Sequence, residues 1–145
     1  MFEVGIQKHK IDAKRRIRVG SELNSAFGDT KDLIVIYFED HLEIISEGQY
    51  SEYKNMMYER IGDKHIARLF LAGKCEKFKA DKQGRFQIPE CRKEIFKEEG
   101  VYVLKVDNDT YNSVEVYPQS VYEKIVQIGT FAENQKEPKN ERGQR

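Results

Sequence analysis

The residues best suited to chemistry in this sequence are two acidic–basic pairs with identical spacing. Asp12 precedes Arg16 and Asp81 precedes Arg85, so each pair reads Asp-x-x-x-Arg. Lysine and arginine cluster around both pairs, and such side chains bind phosphate oxygens or the guanine edges of DNA bases. The cations singled out for DNA binding are Lys14, Arg15, Arg16, Arg18, Lys82 and Arg85. They predict an anion-binding site, although phosphate and base contacts cannot be separated from sequence alone.

The second pair belongs to the longer string Asp81-Lys82-Gln83-Gly84-Arg85-Phe86-Gln87-Ile88-Pro89. Gly84 permits a tight turn with positive φ, which exposes Arg85 beside backbone that can approach a phosphate. Asp81, like Asp12 in the first pair, can pair with its arginine or accept N–H groups of the turn. Pro89 suits the first turn of a following helix. We predict that Asp12, Asp81, Gly84 and Pro89 shape the two loops, and Arg85 either contacts DNA or only holds its turn.

The first pair departs from this string, because Arg15 replaces the glycine and Val19-Gly20 replaces Ile-Pro. A bulky residue at positive φ is unfavourable, so this loop is expected to relax or adopt negative φ. The replacement also adds charge: residues 8–18 contain six basic side chains and one acidic side chain. Either a solvated basic face or phosphate contact would explain the cluster, and its density favours phosphate contact.

Other kinds of site find little support in the spacing of the remaining residues. The three histidines lack the spacing of metal ligands, and Cys75 and Cys91 are interpreted as reduced thiols. Neither a nucleophile–histidine–acid order nor a phosphate-cradling glycine loop occurs. Asp12 and Asp81 each have an arginine four residues later, which keeps the carboxylates ionised. We therefore expect no enzyme activity, no cofactor, no metal and no small-molecule substrate.

Composition limits the partners that the chain can have. It has 145 residues, 34% of them charged and 39% hydrophobic, enough for one ordinary domain or two very small ones. Basic and acidic residues number 25 each, which excludes a uniformly basic nucleic-acid coat protein. The longest apolar run spans six residues, 33–38, far short of the roughly 20 that cross a membrane. With no visible secretory signal, a cytoplasmic protein without a membrane partner is expected.

The elements that position the two pairs repeat along the chain. Residues 11–19 align with residues 80–88, and later apolar segments align at a similar offset, which predicts two related units. Each unit is predicted to contain two strands, a short helix, a β-hairpin and a helix. In the first unit Ser21 is expected to cap the short helix that ends at Gly28. The second helix of that unit is predicted from the apolar stripe Tyr50, Tyr53, Met57 and Ile61.

Together the repeated motifs resemble the AbrB-like swapped-hairpin transcription factors, and two copies in one chain resemble the MraZ family. The resemblance covers residues 1–131. It also includes Met1-Phe2, Phe70-Leu71-Ala72-Gly73 and Val114-Glu115-Val116-Tyr117-Pro118. It implies an α+β fold of two tandem AbrB-like swapped-hairpin β-barrel units, related by a pseudo-twofold and flanked by short helices. The expected domains are residues 1–62, residues 63–132 and a disordered tail, residues 133–145.

The resemblance also implies a function. The chain would be a transcriptional regulator associated with the nucleoid, binding repeated promoter elements of the division and cell-wall gene cluster. Its partners would be double-stranded DNA and further copies of itself in an octamer-like ring. Two alternatives remain: an AbrB- or MazE-like antitoxin, and an assembly module that does not bind DNA.

Overall fold

A computed structural model describes residues 2–29, 32–107 and 112–135. Over these residues the fold is α+β, with antiparallel strands and four helices. The strands are β1 (Phe2–Lys10), β2 (Arg16–Arg18), β3 (Leu33–Tyr37), β4 (Leu42–Ser46), β5 (Cys75–Phe78), β6 (Arg85–Gln87), β7 (Gly100–Asp107) and β8 (Asn112–Pro118). The helices are α1 (Gly20–Phe27), α2 (Tyr50–Ile61), α3 (Lys64–Lys74) and α4 (Gln119–Asn134), with 3₁₀ turns at Glu47–Gln49 and Glu90–Arg92.

Six strands form one sheet in the order β1-β7-β8-β4-β3-β5, and β2 pairs with β6 in a separate two-stranded ribbon. All these pairings are antiparallel. The hairpin β3–β4 adjoins the hairpin β7–β8 through β4 and β8. The outer strands are exchanged: β1 pairs with the later hairpin, and β5 pairs with the earlier one. Segments far apart in sequence are therefore joined at both edges of the sheet and in the ribbon.

The core follows from the apolar content of the strands. Every residue of β3 is buried, as expected for a short apolar run covered on both faces. One face contributes to a cluster with both ribbon strands, in which Phe96 is 1% exposed and Ile17 is fully buried. The other face, with Ile34 and Ile36, packs against Tyr53 of α2 and Leu71 of α3. The ribbon is thus anchored to the main core through its inward side chains.

The predicted elements of the first unit are largely confirmed. Helix α2 spans the predicted stripe, and Tyr53 on that stripe is buried. Helix α1 ends at Gly28, whose φ is +66° and whose N–H donates to the Asn24 carbonyl at 2.9 Å. The capping prediction was wrong: α1 begins at Gly20, and Val19 occupies the cap position without a side-chain bond.

Two further differences concern helices. The helix predicted after Pro89 is only the 3₁₀ turn Glu90–Arg92, because the following residues 93–96 form turns that bury Phe96. Helix α3 was not predicted; its first turn is capped by Asp63, whose carboxylate accepts the Ile66 N–H at 3.0 Å.

Within the part of the chain that the structure describes, no helix has the length and apolarity needed to span a membrane. Helix α4 continues through Asn134, so the first two residues of the predicted tail are helical. Residues 136–145 of that tail lie outside the described residues, as do residues 108–111. The domain boundaries stay predictions.

Candidate nucleic-acid interface

The first Asp-x-x-x-Arg segment is a turn closed by its own aspartate. Asp12 Oδ1 accepts the backbone N–H groups of Lys14, at 2.9 Å, and Arg16, at 2.8 Å. Asp12 Oδ2 accepts Arg16 Nε–H at 2.9 Å. The Arg15 N–H closes the turn on the Asp12 carbonyl at 2.9 Å. One carboxylate therefore fixes both the backbone of the loop and the direction of the Arg16 side chain.

The second segment repeats this geometry nearly bond for bond. Asp81 Oδ1 accepts the N–H groups of Gln83 and Arg85, each at 2.9 Å, and Oδ2 accepts Arg85 Nε–H at 2.7 Å. The Gly84 N–H donates to the Asp81 carbonyl at 2.9 Å. The expected role of both aspartates in shaping their loops thus has a direct geometric basis.

The same bonds set the ionisation of the two aspartates. Desolvation would raise the pKa of Asp12, but the hydrogen bonds and charge of Arg16 outweigh it and lower that pKa. The pKa of Asp81 is lowered by the Arg85 backbone N–H, against desolvation, and also by the Arg85 guanidinium. Both carboxylates are therefore anionic at neutral pH and neutralise part of the arginine charge.

This ionisation predicts acid sensitivity of the loops. Because both folded-state pKa values lie below the ordinary 3.8, the carboxylates stabilise the fold above that pH, and the stabilisation is lost as pH falls through the lowered values. Thermal unfolding between pH 2 and 6 should show a stability decline below pH 3.8 that is reduced in the Asp12→Asn/Asp81→Asn variant. Asp29→Asn, at an exposed carboxylate outside both turns, is the control. A decline of equal size in the double variant would contradict the prediction.

Both turns place their third residue after the aspartate in the left-handed region. Gly84 has φ +70° and Arg15 has φ +63°. The expectation that Arg15 would relax the loop or adopt negative φ was therefore wrong. The aspartate bonds impose the same turn on both copies, and the Arg15 guanidinium gains a further anchor by donating to the Phe96 carbonyl. These contacts offset the cost of positive φ in a residue with a side chain.

The two turns are joined by the ribbon of β2 and β6. Ile17 lies opposite Phe86, and both side chains are buried. Because side chains alternate along a strand, the opposite face carries Arg16 and Arg18 on β2 with Arg85 and Gln87 on β6. In register, Arg16 faces Gln87 and Arg18 faces Arg85. One outward face thus holds three guanidinium groups and one amide.

Backbone bonds lock the turns to each other across the ribbon. The Ile88 N–H donates to the Arg15 carbonyl at 3.0 Å, and the Val19 N–H donates to the Gly84 carbonyl at 2.8 Å. The Gln87 side-chain amide also donates to the carbonyls of Lys14 and Arg15, at 3.0 and 3.2 Å. The loops therefore form one pre-organised unit, which reduces the entropy lost on binding a ligand.

The six predicted cations are brought together but differ in exposure. Lys14, Arg18 and Lys82 are exposed. The other three are half-buried and engaged internally, Arg15 with Phe96, Arg16 with Asp12, and Arg85 with Asp81. Pro89 is half-buried and leads into the 3₁₀ turn. The exposed cations are free of the ion pairs that hold Arg16 and Arg85.

Two residues of this region were not singled out from the sequence. Gly20 lies against Gly84 so closely that a Cβ on Gly84 would come within 2.6 Å of the Gly20 Cα. Gln87 joins the loops through the amide bonds described above. In the alignment of the two repeats, Gly20 corresponds to Pro89 and Gln87 corresponds to Arg18. This correspondence with predicted site residues could have indicated both Gly20 and Gln87.

Comparison with known protein families gives a match to the N-terminal part of the chain. Residues 2–73, which contain the first motif and end within α3, match the family model described as "MraZ protein, putative antitoxin-like". No curated protein matches the chain significantly.

Proposed function

The chain belongs to the MraZ family, and from this membership we propose that it is a transcriptional regulator that binds promoter DNA through its paired Asp-x-x-x-Arg loops. The observation that carries the proposal is the outward face of the β2–β6 ribbon, with Arg16, Arg18, Arg85 and Gln87 side by side. A two-stranded ribbon fits the major groove of DNA. Arginine pairs with guanine edges there, while the exposed Lys14 and Lys82 suit flanking phosphates.

The proposed architecture is a tandem pair of swapped-hairpin units related by a pseudo-twofold. The exchange of β1 and β5 between the two hairpins supports it, as do the matching bonds of Asp12 and Asp81. Under this proposal each unit supplies one loop to a shared binding face, and the chain has no catalytic activity. The chain would act at the nucleoid.

We further propose that several copies form a ring on repeated DNA elements. Helices α3 and α4 expose large apolar side chains that a monomer would leave in water. Among the described residues these include Leu69 at 62%, Ile128 at 64% and Phe131 at 66% exposure. Contact between α3 of one copy and α4 of the next would be head-to-tail, the kind of interface that closes into rings.

The ring predicts a specific effect of charge on α4. Ile128→Lys should lower the native mass of the assembly, because a buried lysine would oppose the contact, while the fold survives at this exposed position. The matched control is Gln127→Lys, which adds the same charge at the neighbouring exposed residue. Light scattering after gel filtration measures the mass. An unchanged mass in Ile128→Lys would remove α4 from the interface.

The function itself is tested by binding duplex probes that carry one, two or three copies of the repeated promoter element over a salt series. One subunit with six cations is limited to a salt slope of about 5, since each neutralised phosphate contributes about 0.9. A ring should bind the multi-copy probes more tightly and with a steeper slope, through effective concentration. Equal affinity and slope for all probes would refute the ring. Absence of binding, or binding that ignores sequence, would refute the regulator and favour the assembly module.

The antitoxin alternative draws on the same exposed helices. A toxin covering α3 and α4 would bury the apolar side chains that the ring is proposed to use. A chain that is monomeric alone but binds DNA would favour this alternative over the ring.

A further inference from the structure

A second cluster of polar side chains lies away from the ribbon, where β4 meets β8. His41, in the turn between β3 and β4, comes together with Glu43 of β4 and Glu115 of β8. One nitrogen or oxygen atom from each of the three lies within 4.8 Å of those of the other two. Glu43 and Glu115 are directly opposite in the β4–β8 register. Like charges in that position repel, so a positive charge beside the pair stabilises it.

The imidazole of His41 is held in one plane and one direction. Its ring stacks between Phe38 and Tyr117, with centroid separations of 4.6 Å on both sides and interplanar angles of 3° and 13°. Nδ1 lies 2.8 Å from Asp40 Oδ1. An ionised carboxylate can only accept, so Nδ1 carries a hydrogen and donates it to Asp40. Histidines that ligate metals are commonly oriented in this way, by a carboxylate on the other nitrogen.

The second nitrogen faces a second acceptor. Nε2 lies 3.1 Å from Glu43 Oε2. Desolvation would lower the pKa of His41, but the hydrogen bonds and charges of Glu43 and Asp40 raise it. A proton at Nε2 is therefore favoured in the absence of a metal, and a bound metal ion would replace that proton. Ligand atoms at about 2.0–2.2 Å from a tetrahedral zinc ion are separated by about 3.3–3.6 Å, so Nε2 and Oε2 would move apart slightly to hold the ion.

The surrounding charges match a divalent ion. Asp40, Glu43 and Glu115 bring three negative charges to the cluster, and Lys74 interacts electrostatically with Glu43 and brings one positive charge. The Lys74 ammonium lies 4.0 Å above the Phe38 ring, on the aromatic stack that holds His41. Glu115 is itself oriented, because the Tyr117 hydroxyl donates to its Oε1 at 2.6 Å. Once the Nε2 proton is displaced, these groups leave a net charge of about minus two around the imidazole.

From this geometry we propose that His41, Glu43 and Glu115 form a binding site for a divalent transition metal of zinc type, which clamps β4 to β8. Imidazole with carboxylates suits Zn²⁺ better than Mg²⁺ or Ca²⁺, which prefer all-oxygen sites. The three protein ligands leave a fourth position for water. The ion would neutralise the opposed glutamates and hold together the two hairpins, whose sequences are far apart.

The full-length chain, stripped with EDTA and dialysed, is titrated with ZnCl₂ by calorimetry, and with Co²⁺ for its visible absorption. We expect one ion per chain, a rise in melting temperature on adding Zn²⁺, and no comparable effect of Mg²⁺ or Ca²⁺. His41→Gln and Glu115→Gln should each weaken Zn²⁺ binding at least tenfold. Asp40→Asn, which affects only the positioning bond, should weaken it about 10–100-fold. Glu59→Gln, at an exposed carboxylate on α2, should leave binding unchanged.

Circular dichroism of each metal-free variant shows whether it folds, and the wild-type titration does not depend on any variant. No Zn²⁺ binding by the folded wild-type chain would overturn the proposal; a His41 ring protonated at both nitrogens, seen by NMR, would then identify a proton as the compensating cation. Undiminished Zn²⁺ binding in His41→Gln would also overturn it, by placing the ion elsewhere. Equal affinity for Mg²⁺ would show that the imidazole is not a ligand.

Discussion

Arg18→Ala is expected to weaken binding to the promoter element by about tenfold or more, a larger loss than from any other single cation removed without disturbing a loop. Arg18 is exposed on the outward face of the ribbon, opposite Arg85. Loss of a bidentate arginine–guanine contact costs about 1–3 kcal/mol. Adding Lys14→Ala, which removes the exposed cation of the adjoining turn, should bring the loss to about 100-fold.

The control is Lys124→Ala, which removes the same charge from an exposed position on α4. Fluorescence anisotropy at one fixed salt concentration, with the promoter element and a scrambled duplex, measures the losses. If Arg18 contacts a base, the loss is confined to the promoter element. If it contacts a phosphate, both probes weaken equally and the salt slope falls by about 0.9. Equal affinities of Arg18→Ala and Lys124→Ala would contradict the ribbon interface.

Arg16 and Arg85 call for a different experiment, because their Nε atoms are bonded to Asp12 and Asp81. Alanine at either position would disturb the turn as well as the charge. Lysine retains the charge but cannot reproduce the planar fork of arginine. A loss of affinity in Arg85→Lys that exceeds its loss of stability would therefore separate recognition from loop structure.

The repeated motif allowed much of the site to be predicted from sequence, since identical spacing around Asp12 and Asp81 produced identical turns. The pattern could not predict how the cost of positive φ at Arg15 is offset. Its positive φ depends on the Phe96 carbonyl, 81 positions later in the chain. A local preference against positive φ is outweighed there by a tertiary contact, and no spacing rule includes that contact.

Helix α3 and the His41 cluster show two other limits. Helix α3 has no counterpart among the described residues of the second unit, so the repeat did not predict it. Asp63 before an amphipathic run was a usable signal for its start. The His41 cluster could not be found from local spacing, because Glu115 reaches it only through the β4–β8 register. Such pairs become visible once strand partners are known.

The close approach of Gly84 to Gly20 predicts the largest loss of stability from adding a single methyl group. In Gly84→Ala the new Cβ would come within 2.6 Å of the Gly20 Cα, at a backbone φ of +70°. The left-handed conformation costs about 1–2 kcal/mol with a side chain, and forcing two backbone segments apart adds about 1–3 kcal/mol. We expect a total of about 2–5 kcal/mol, measured from the midpoint of urea unfolding at unchanged slope.

Two matched variants separate these contributions and decide whether the contact between the loops matters. Gly62 also has a left-handed backbone, with φ +83°, but there is open space where a Cβ would lie. Gly62→Ala should therefore lose only the conformational contribution to stability, about 1–2 kcal/mol. In Gly20→Ala the new Cβ would come within 3.2 Å of the Gly84 Cα, but the backbone at Gly20 has no positive φ. This variant should therefore lose less stability than Gly84→Ala. Equal losses in Gly84→Ala and Gly62→Ala would mean that the loops separate freely. The Val19–Gly84 bond would then not hold the ribbon in one geometry, and DNA binding would include the cost of ordering it.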